Sequence, residues 1–294
     1  MHATQHSRTA EYMALFRALE TARGPGTRLF DDPWARRFLR PSLRAIAALA
    51  RVPPLGRTIS HFIDRRWPGG RTSGIARTRF IDEVVCEKLR YGCRQIVLLG
   101  AGFDCRAYRL PEAAQARFFE VDHPNTSAAK QDVVLHALGK KPAHVTFVAI
   151  DFNRQSLGEV LKSSGLDLAR PVFFLWEGVT NYLTAEAVDA TFRYVATAAS
   201  GSGILFTYVH SDVLKPKASF AGLEAVQHLL DDASEPWTFG FDPAELPAYL
   251  AARGLRLVSD LGAVDYRACT MGEAGARSVG YEFYRAAVAE IIDA

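Results

Sequence analysis

The sequence predicts an α/β fold built on a mostly parallel, doubly wound sheet. Five short apolar runs alternate with polar or helix-like stretches: IVLLG (96–100), RFFEVD (117–122), HVTFVAID (144–151), PVFFLWEG (171–178) and GILFTYV (203–209). Such alternation is typical of a parallel sheet that helices cover on both faces. Two later segments, RLVSDLG (256–262) and the residues around 279–289, could add two more strands to these five.

A helical region is expected to precede the sheet. Apolar residues recur at helical spacing over 9–22, and a second helix is predicted over 33–50 with Pro33 at its start. The tandem prolines 53–54 would close that segment. We therefore expect an N-terminal helical cap at 1–75, followed by a ligand-binding domain at 76–294.

A long connection separates the fifth and sixth predicted strands. Residues 210–243 contain a helix-like piece and the aromatic residues Phe220, Trp237 and Phe239. A connection of this length inside a compact domain is usually a lid or a binding loop, which is the interpretation we favour. A simple surface insertion is the alternative.

Composition excludes several classes of partner. The 294 residues are 49% apolar and 23% charged, and the formal net charge of +3 gives no strong attraction to nucleic acid or a membrane surface. The four cysteines lack metal-ligand spacing, and no run approaches the ~20 apolar residues that span a bilayer. The N-terminus lacks an apolar signal core. We expect a cytoplasmic protein without a metal.

A glycine turn follows the first strand. Gly100, Ala101 and Gly102 belong to LLGAGFD (98–104), where glycines let the backbone turn sharply and approach a ligand closely. Ligands of open α/β sheets bind beyond the carboxyl ends of the strands. The alternative is an ordinary strand-to-helix turn.

An acid follows the second strand at the spacing of a nucleotide-binding site. Asp122 lies 122 − 102 = 20 residues after the turn, where a carboxylate can accept both hydroxyl protons of a ribose. Glu120 could compete for this role. The third small residue of a dinucleotide motif is replaced by Cys105, and Asp104 would repel a pyrophosphate. This pattern favours a ligand without phosphate, such as S-adenosylmethionine.

Two further strand ends carry candidate ligand contacts. Asp151 and Phe152 suit an adenine, the carboxylate accepting from the amine and the ring lying against the base. Asp151 could instead cap a helix. Glu177 ends a buried run, where it needs a charged or hydrogen-bonding partner such as a cofactor ammonium or an arginine. Tyr182 follows five residues later towards the same face.

Five blocks of the chain resemble the leucine carboxyl methyltransferase family, which includes tetracenomycin-type polyketide carboxyl O-methyltransferases. The blocks are ARTRFIDEVV (76–85), QIVLLGAGFDCRAYRL (95–110), FEVDHP (119–124), DF (151–152) and EGVTNYLT (177–184). They occur in the family's order and at similar spacing. The resemblance implies a class I methyltransferase: a Rossmann-like sheet of seven strands with one inserted antiparallel strand.

The resemblance also implies a set of cofactor contacts. Arg77 would bind the carboxylate of S-adenosylmethionine, and Glu177 would lie near its amino group. The turn at 100–102 would underlie the methionine portion, Asp122 would bind the ribose, and Asp151 with Phe152 would bind the adenine. Arg17 falls roughly where the family places another basic contact. Arg106 resembles the bacterial branch, so a phosphatase C-terminus is not the expected substrate.

Methyl transfer needs little covalent help, because catalysis comes from placing the acceptor oxygen ~3 Å from the methyl carbon and excluding water. A carboxylate needs no general base, whereas a hydroxyl does, and only His123 and His210 follow strands where a base could lie. We therefore favour a carboxylate acceptor on a small, apolar secondary metabolite.

Three residues could orient that acceptor: Arg79, Arg106 and Tyr182. Two other functions remain open at this stage. The chain could bind S-adenosylmethionine without catalysis, or it could be a nicotinamide-dependent oxidoreductase.

Overall fold

The computed structural model describes residues 8–151, 155–216, 218–233 and 236–292. Within these ranges seven strands form one sheet: β1 (Gln95–Leu99), β2 (Arg117–Asp122), β3 (Val145–Ala149), β4 (Phe173–Trp176), β5 (Gly203–Val209), β6 (Leu255–Gly262) and β7 (Tyr284–Ile291). Their order is β3-β2-β1-β4-β5-β7-β6. Strands β1 to β5 pair in parallel, and β7 lies antiparallel between β5 and β6. The predicted fold class is confirmed.

Burial of the central strands explains their continuous apolar sequences. Every residue of β1, β4 and β5 is buried. Apolar clusters cover both faces of the sheet, one around Phe119, Phe174 and Phe206 and the other around Phe118 and Phe173. Parallel strands covered on both sides can bury branched and aromatic residues at every position, so they show no polar alternation.

Helices surround the sheet and build most of the region before it. The described residues form α1 (Arg8–Thr21), α2 (Pro41–Leu49), α3 (Pro53–Arg66), α4 (Gly70–Arg90), α5 (Arg106–Arg109), α6 (Pro124–Leu138), α7 (Leu157–Ser163), α8 (Ala185–Val195), α9 (Leu223–Ala233), α10 (Leu246–Ala251) and α11 (Ala263–Ala276). None of these helices combines the length and the apolar character needed to cross a membrane.

The helix predicted over 33–50 is wrong in its first half. A short 3₁₀ turn covers Ala35–Phe38, and the chain is then extended at Leu39 and Arg40 before α2 begins at Pro41. A proline disfavours helical backbone in the residue before it, and its own ring suits the first helical position. Pro53 likewise begins α3 instead of ending a segment.

The N-terminal helices form a cluster of their own that reaches the sheet. Leu15, Phe16 and Leu19 of α1 are buried in this cluster together with Phe38. The Phe38 ring stacks on Phe103 with centroids 4.9 Å apart. Because Phe103 belongs to the turn after β1, this stack joins the helical region to the sheet edge where the predicted ligand residues lie.

Candidate functional site

A cavity of about 630 Å³ opens at the carboxyl ends of β1, β2 and β4. Its wall includes Arg17 and six of the residues predicted to bind the cofactor: Arg77, Gly100, Ala101, Gly102, Asp122 and Glu177. The volume is typical of a small-molecule site.

The turn after β1 requires glycine. Gly100 and Gly102 have positive φ angles of 70° and 42°. A Cβ atom at position 100 would lie 2.4 Å from Cγ2 of Val179. The N–H groups of Gly100 and Ala101 both donate to the carbonyl of Val121 at 2.9 Å, which ties the turn to β2. Glycine therefore lets the turn pack closely against Val179, and the turn lines the cavity.

Asp122 lies at the end of β2 and closes the other side of this turn. Its carboxylate accepts from the N–H of Gly102 at 2.5 Å and from the N–H of His123 at 2.7 Å. Burial raises the pKa of Asp122, although the two backbone donors act in the opposite direction. The competing acid, Glu120, is buried, does not line the cavity and pairs with Lys130 at 2.9 Å. Asp122 is therefore the acid that faces the cavity.

Glu177 at the end of β4 has the charged partners that its burial requires. Its Oε1 atom lies 3.0 Å from Nε of Arg77, and its Oε2 atom lies 2.9 Å from a terminal nitrogen of Arg106. Burial alone would raise the pKa of Glu177, but the two arginines outweigh it and hold the pKa below its usual value. The Arg77 guanidinium also lies 4.6 Å from the ring centroid of Tyr284.

Arg106 lies between three carboxylates. Besides Glu177 it binds Asp104, and its Nε atom donates to Asp82 at 2.8 Å. Its side chain is 4% exposed. Burial would raise the pKa of Asp104, but Arg106 and Lys130 outweigh it and lower that pKa to about 2. The Arg106 guanidinium therefore holds carboxylates from α4, β4 and the glycine turn in place.

Two acids that the sequence analysis missed extend this network to the N-terminal helices. Asp82 accepts from both terminal nitrogens of Arg109, at 2.7 and 2.6 Å. Asp32 lies 2.9 Å from Nε of Arg17 and 3.5 Å from Nε of Arg109. Arg17 in turn donates to the carbonyl of Phe103 at 2.6 Å. These pairs join residues 15 to 86 positions apart, a separation that local pattern does not reveal.

The structure does not bring Arg79 to the cavity. Its side chain lies at the surface, where it donates to Glu83 at 2.7 Å and to the carbonyl of Leu29 at 3.1 Å. Arg77 and Arg79 are two positions apart on α4, and residues at that spacing point in different directions on a helix. Only one of them can therefore face the site, and it is Arg77.

The other predicted site residues are placed as follows. Tyr182 ends a 3₁₀ turn at Thr180–Tyr182 and lines the cavity. Asp151 follows β3, and its N–H donates to Oε1 of Gln155 at 3.0 Å. Phe152 lies outside the described residues.

The two candidate histidines each cap the start of an element: His123 caps α6, and His210 caps a 3₁₀ turn at Ser211–Leu214. His123 lines the cavity, and its Nδ1 atom accepts from the N–H of Asn125 at 3.3 Å. His210 accepts from the N–H of Asp212 at 3.1 Å and packs against Phe220. A ring nitrogen that accepts a hydrogen bond carries no proton, so the proton of a neutral His123 lies on Nε2.

Apolar and aromatic side chains line the rest of the cavity. They come from α1, the end of α3, α9, the segment after α9 and the C-terminal region, and include Tyr12, Met13, Phe16, Trp67, Val226, Leu230, Pro236, Trp237, Tyr266, Tyr281 and Tyr284. Of the three aromatic residues predicted for a lid, Trp237 lines the cavity. Phe220 packs on Phe283, and Phe239 packs on Phe241.

The sheet order with an inserted antiparallel β7, the glycine turn after β1 and the acid after β2 define a class I methyltransferase fold. A solved protein of the DUF574 family from Streptomyces avermitilis has the same fold, with a TM-score of 0.60 at 17% identity. That comparison covers 94% of this chain and 96% of the other.

The family follows from the sequence comparisons. Residues 10–196 match the model of the leucine carboxyl methyltransferase family. A Frankia alni protein described as an S-adenosyl-L-methionine-dependent methyltransferase is 34% identical over 66% of this chain, and the match spans 65% of that protein's length. A Mycobacterium avium protein with the same description is 30% identical over 86% of this chain and 83% of its own length. The chain belongs to the leucine carboxyl methyltransferase family of S-adenosylmethionine-dependent methyltransferases.

Proposed function

We propose that this protein transfers a methyl group from S-adenosylmethionine to a carboxylate or hydroxyl oxygen of a small, apolar molecule. The observation that supports it best is one continuous cavity with two different walls. One wall carries the glycine turn, Asp122 and the Arg77–Glu177 pair, and the other is mainly aromatic. A nucleoside with an amino-acid end suits the first wall, and an apolar acceptor suits the second.

The charged pair suits the amino-acid end of the cofactor. Arg77 and Glu177 lie side by side at 3.0 Å and present opposite charges to the cavity. A zwitterion carries a carboxylate and an ammonium a few ångströms apart, so both of its charges can meet a partner. In this proposal Arg77 binds the carboxylate, Glu177 binds the ammonium, and Arg106 positions Glu177.

Asp122 and Asp151 would hold the nucleoside. The Asp122 carboxylate is already fixed by two backbone N–H groups, so its remaining lone pairs are in place for the ribose hydroxyls. Asp151 at the end of β3, with Phe152, would bind the adenine.

Two further segments, the cap at 1–75 and the lid at 210–243, would cover the cavity. Met13 and Phe16 of α1, with Val226 and Trp237 of the long connection, line the cavity from outside the sheet. Their apolar side chains would exclude water from the acceptor during transfer.

A carboxylate acceptor fits this site best. Transfer joins the acceptor oxygen to the methyl carbon while the carbon–sulfur bond breaks and its electrons stay on sulfur. A carboxylate can attack without losing a proton, whereas a hydroxyl needs a base. The Nδ1 lone pair of His123 is engaged by the N–H of Asn125, so this histidine is poorly placed as that base. Tyr182 would orient the acceptor, and a polycyclic, polyketide-like acid would fill the aromatic wall.

Calorimetric titration with S-adenosylhomocysteine tests the cofactor site. We expect wild type to bind, and Asp122→Asn to bind roughly 10- to 100-fold more weakly, because a hydrogen bond to a charged group contributes about 1.5–3 kcal/mol. Asp132→Asn is the matched control, since Asp132 is exposed on α6. Undiminished affinity of Asp122→Asn would remove the ribose assignment, and no binding to wild type would contradict the proposed cofactor site.

Turnover is measured separately, as S-adenosylhomocysteine formed from S-adenosylmethionine with a panel of aromatic acids and their matching alcohols. Methylation of the acids supports a carboxylate acceptor. Binding of the cofactor without turnover on any panel member would favour a cofactor-binding protein that does not catalyse.

A further inference from the structure

One tyrosine in the cavity wall is buried with no bonding partner for its hydroxyl. Tyr266 of α11 is 0% exposed and lines the cavity. Its hydroxyl oxygen makes no hydrogen bond to any residue that the structure describes. Leaving such a group buried and unpaired destabilises the folded state. A phenylalanine would avoid that cost, so the hydroxyl calls for an explanation outside the fold.

A second orphaned donor lies in the same wall. Nε1 of Trp237 is buried, and among the described residues it likewise has no hydrogen-bond partner. Its ring lies 6.3 Å from Tyr284, the residue over which the Arg77 guanidinium stacks. Tyr266 packs against Ala76, the neighbour of Arg77 on α4. Both donors therefore belong to the part of the cavity next to the Arg77–Glu177 pair.

The chemistry of the two groups limits what they can bind. An indole N–H can only donate, and a phenol can donate or accept, so an oxygen with lone pairs satisfies both. Both donors are uncharged, and the nearby Arg77 is already paired with Glu177. The site therefore lacks the surplus positive charge that a second anionic group would need.

The two residues lie outside the segment that matches the family model. The family match ends at residue 196, whereas Trp237 and Tyr266 follow it. The shared region includes the glycine turn, Asp122 and Glu177.

We propose that Tyr266 and Trp237 recognise an uncharged carbonyl oxygen on the aromatic skeleton of the methyl acceptor. This oxygen is distinct from the one that receives the methyl group. The two donors fix the acceptor's orientation within a wall that otherwise offers it mainly apolar contact. This inference rests on the proposed function, since it names the acceptor class for the same cavity.

Two aromatic probes test the inference. The protein, saturated with S-adenosylhomocysteine, is dialysed to equilibrium against 2-acetylnaphthalene or 2-ethylnaphthalene, which differ in one carbonyl oxygen. We expect wild type to bind the ketone about tenfold more tightly than the hydrocarbon, as one or two hydrogen bonds to buried donors imply. Tyr266→Phe and Trp237→Phe should each reduce that ratio, and the double variant should bring it close to one.

Control measurements separate recognition from a structural role. Tyr194→Phe, a half-buried tyrosine away from the cavity wall, should keep the wild-type ratio. Tyr266→Phe should keep the affinity for S-adenosylhomocysteine and should not lower the free energy of unfolding, because it removes an unpaired group. A large loss of stability would show that the hydroxyl supports the fold and would overturn the proposal.

The remaining outcomes are also decisive. Equal affinity of wild type for the two probes, or no binding of the ketone, overturns the inference. If S-adenosylhomocysteine binds in the same experiment, the proposed function survives that result. If S-adenosylhomocysteine does not bind, the proposed function fails independently of either probe.

Discussion

Arg106 and Asp104 show how a buried charge is held at the edge of this site. The arginine contacts three carboxylates, and with Lys130 it lowers the pKa of Asp104 to about 2 even though burial acts in the opposite direction. A group bound more strongly in its charged form stabilises the folded state wherever it is charged. The cluster therefore links the stability of the folded protein to pH.

The sign of this linkage gives a prediction for Asp104. Above its usual value of 3.8 the carboxylate is charged in both states, and its contribution to stability is complete. As the pH falls from about 4 to about 2, the unfolded chain takes up a proton that the folded protein does not, so the free energy of unfolding decreases. Asp104→Asn should show a smaller decrease over this interval in urea unfolding. Asp132→Asn corrects for the loss of one surface charge, and equal slopes in all three proteins would contradict the assignment.

For single residues, the sequence indicates which side chains belong to the site better than it indicates which groups they contact. Glu177 was predicted to need a charged neighbour because it ends a buried strand, and the structure supplies Arg77 and Arg106. The sequence predicts Arg106 beside the acceptor, but no local pattern indicates the three carboxylates that surround it. Asp82 lies 24 positions from Arg106, and no local pattern marks such a pair.

The turn after β1 is the element in which sequence and structure agree most closely. Two glycines after an apolar strand predicted a sharp turn, and both have positive φ. The helix over 33–50 was mispredicted because composition there favours a helix throughout, while Pro41 forces extended backbone just before it. The local residues indicate whether a segment is a helix or a strand, whereas a break within a helix can depend on a single position such as Pro41.

Substituting two glycines by alanine tests how much stability depends on the close contact between position 100 and Val179. Gly100 and Gly139 have nearly equal φ angles, 70° and 71°, but a Cβ atom at 139 would meet nothing within 4 Å. Gly139→Ala should lower the free energy of unfolding by about 1–2 kcal/mol, the cost of left-handed backbone. Gly100→Ala should cost about 1–3 kcal/mol more, because Val179 must move.

The same pair distinguishes folding from binding. Only Gly100→Ala should weaken binding of S-adenosylhomocysteine, since Gly139 ends α6 away from the cavity wall. Urea unfolding and calorimetry on both variants give the two differences. Equal effects of the two substitutions would mean that the turn does not require the close contact with Val179.

Across the whole molecule, buried charges connect the N-terminal helices to the sheet. Asp32 is inaccessible, and it contacts Arg17 of α1 and Arg109 of α5. Removing one partner of a buried ion pair typically costs 3–5 kcal/mol, because a charge is left uncompensated. This network, together with the stack of Phe38 on Phe103, fixes the helical region to the glycine turn.

Adjacent acids provide the test of that connection. Asp32→Asn should lower the free energy of unfolding by about 3 kcal/mol and should weaken cofactor binding, since Arg17 also holds the Phe103 carbonyl. Asp31→Asn should cost less than about 1 kcal/mol, because Asp31 pairs with Arg28 at a half-exposed position. Denaturant unfolding measures both. Similar losses from the two variants would show that the buried network contributes little to stability.

The position of β7 constrains the order in which the sheet can be completed. Its residues Tyr284–Ile291 pair with β5 on one side and with β6 on the other, although both neighbours are made earlier by the ribosome. Until residue 291 has emerged, β5 lacks a partner along one edge and β6 has no partner strand at all, and unpaired edges are sites of aggregation. The nascent chain therefore passes through a stage in which β6, the outermost strand, cannot yet join the sheet. A premature stop that removes only β7 would therefore leave a gap between β5 and β6 inside the sheet. It would not merely shorten the sheet at its edge.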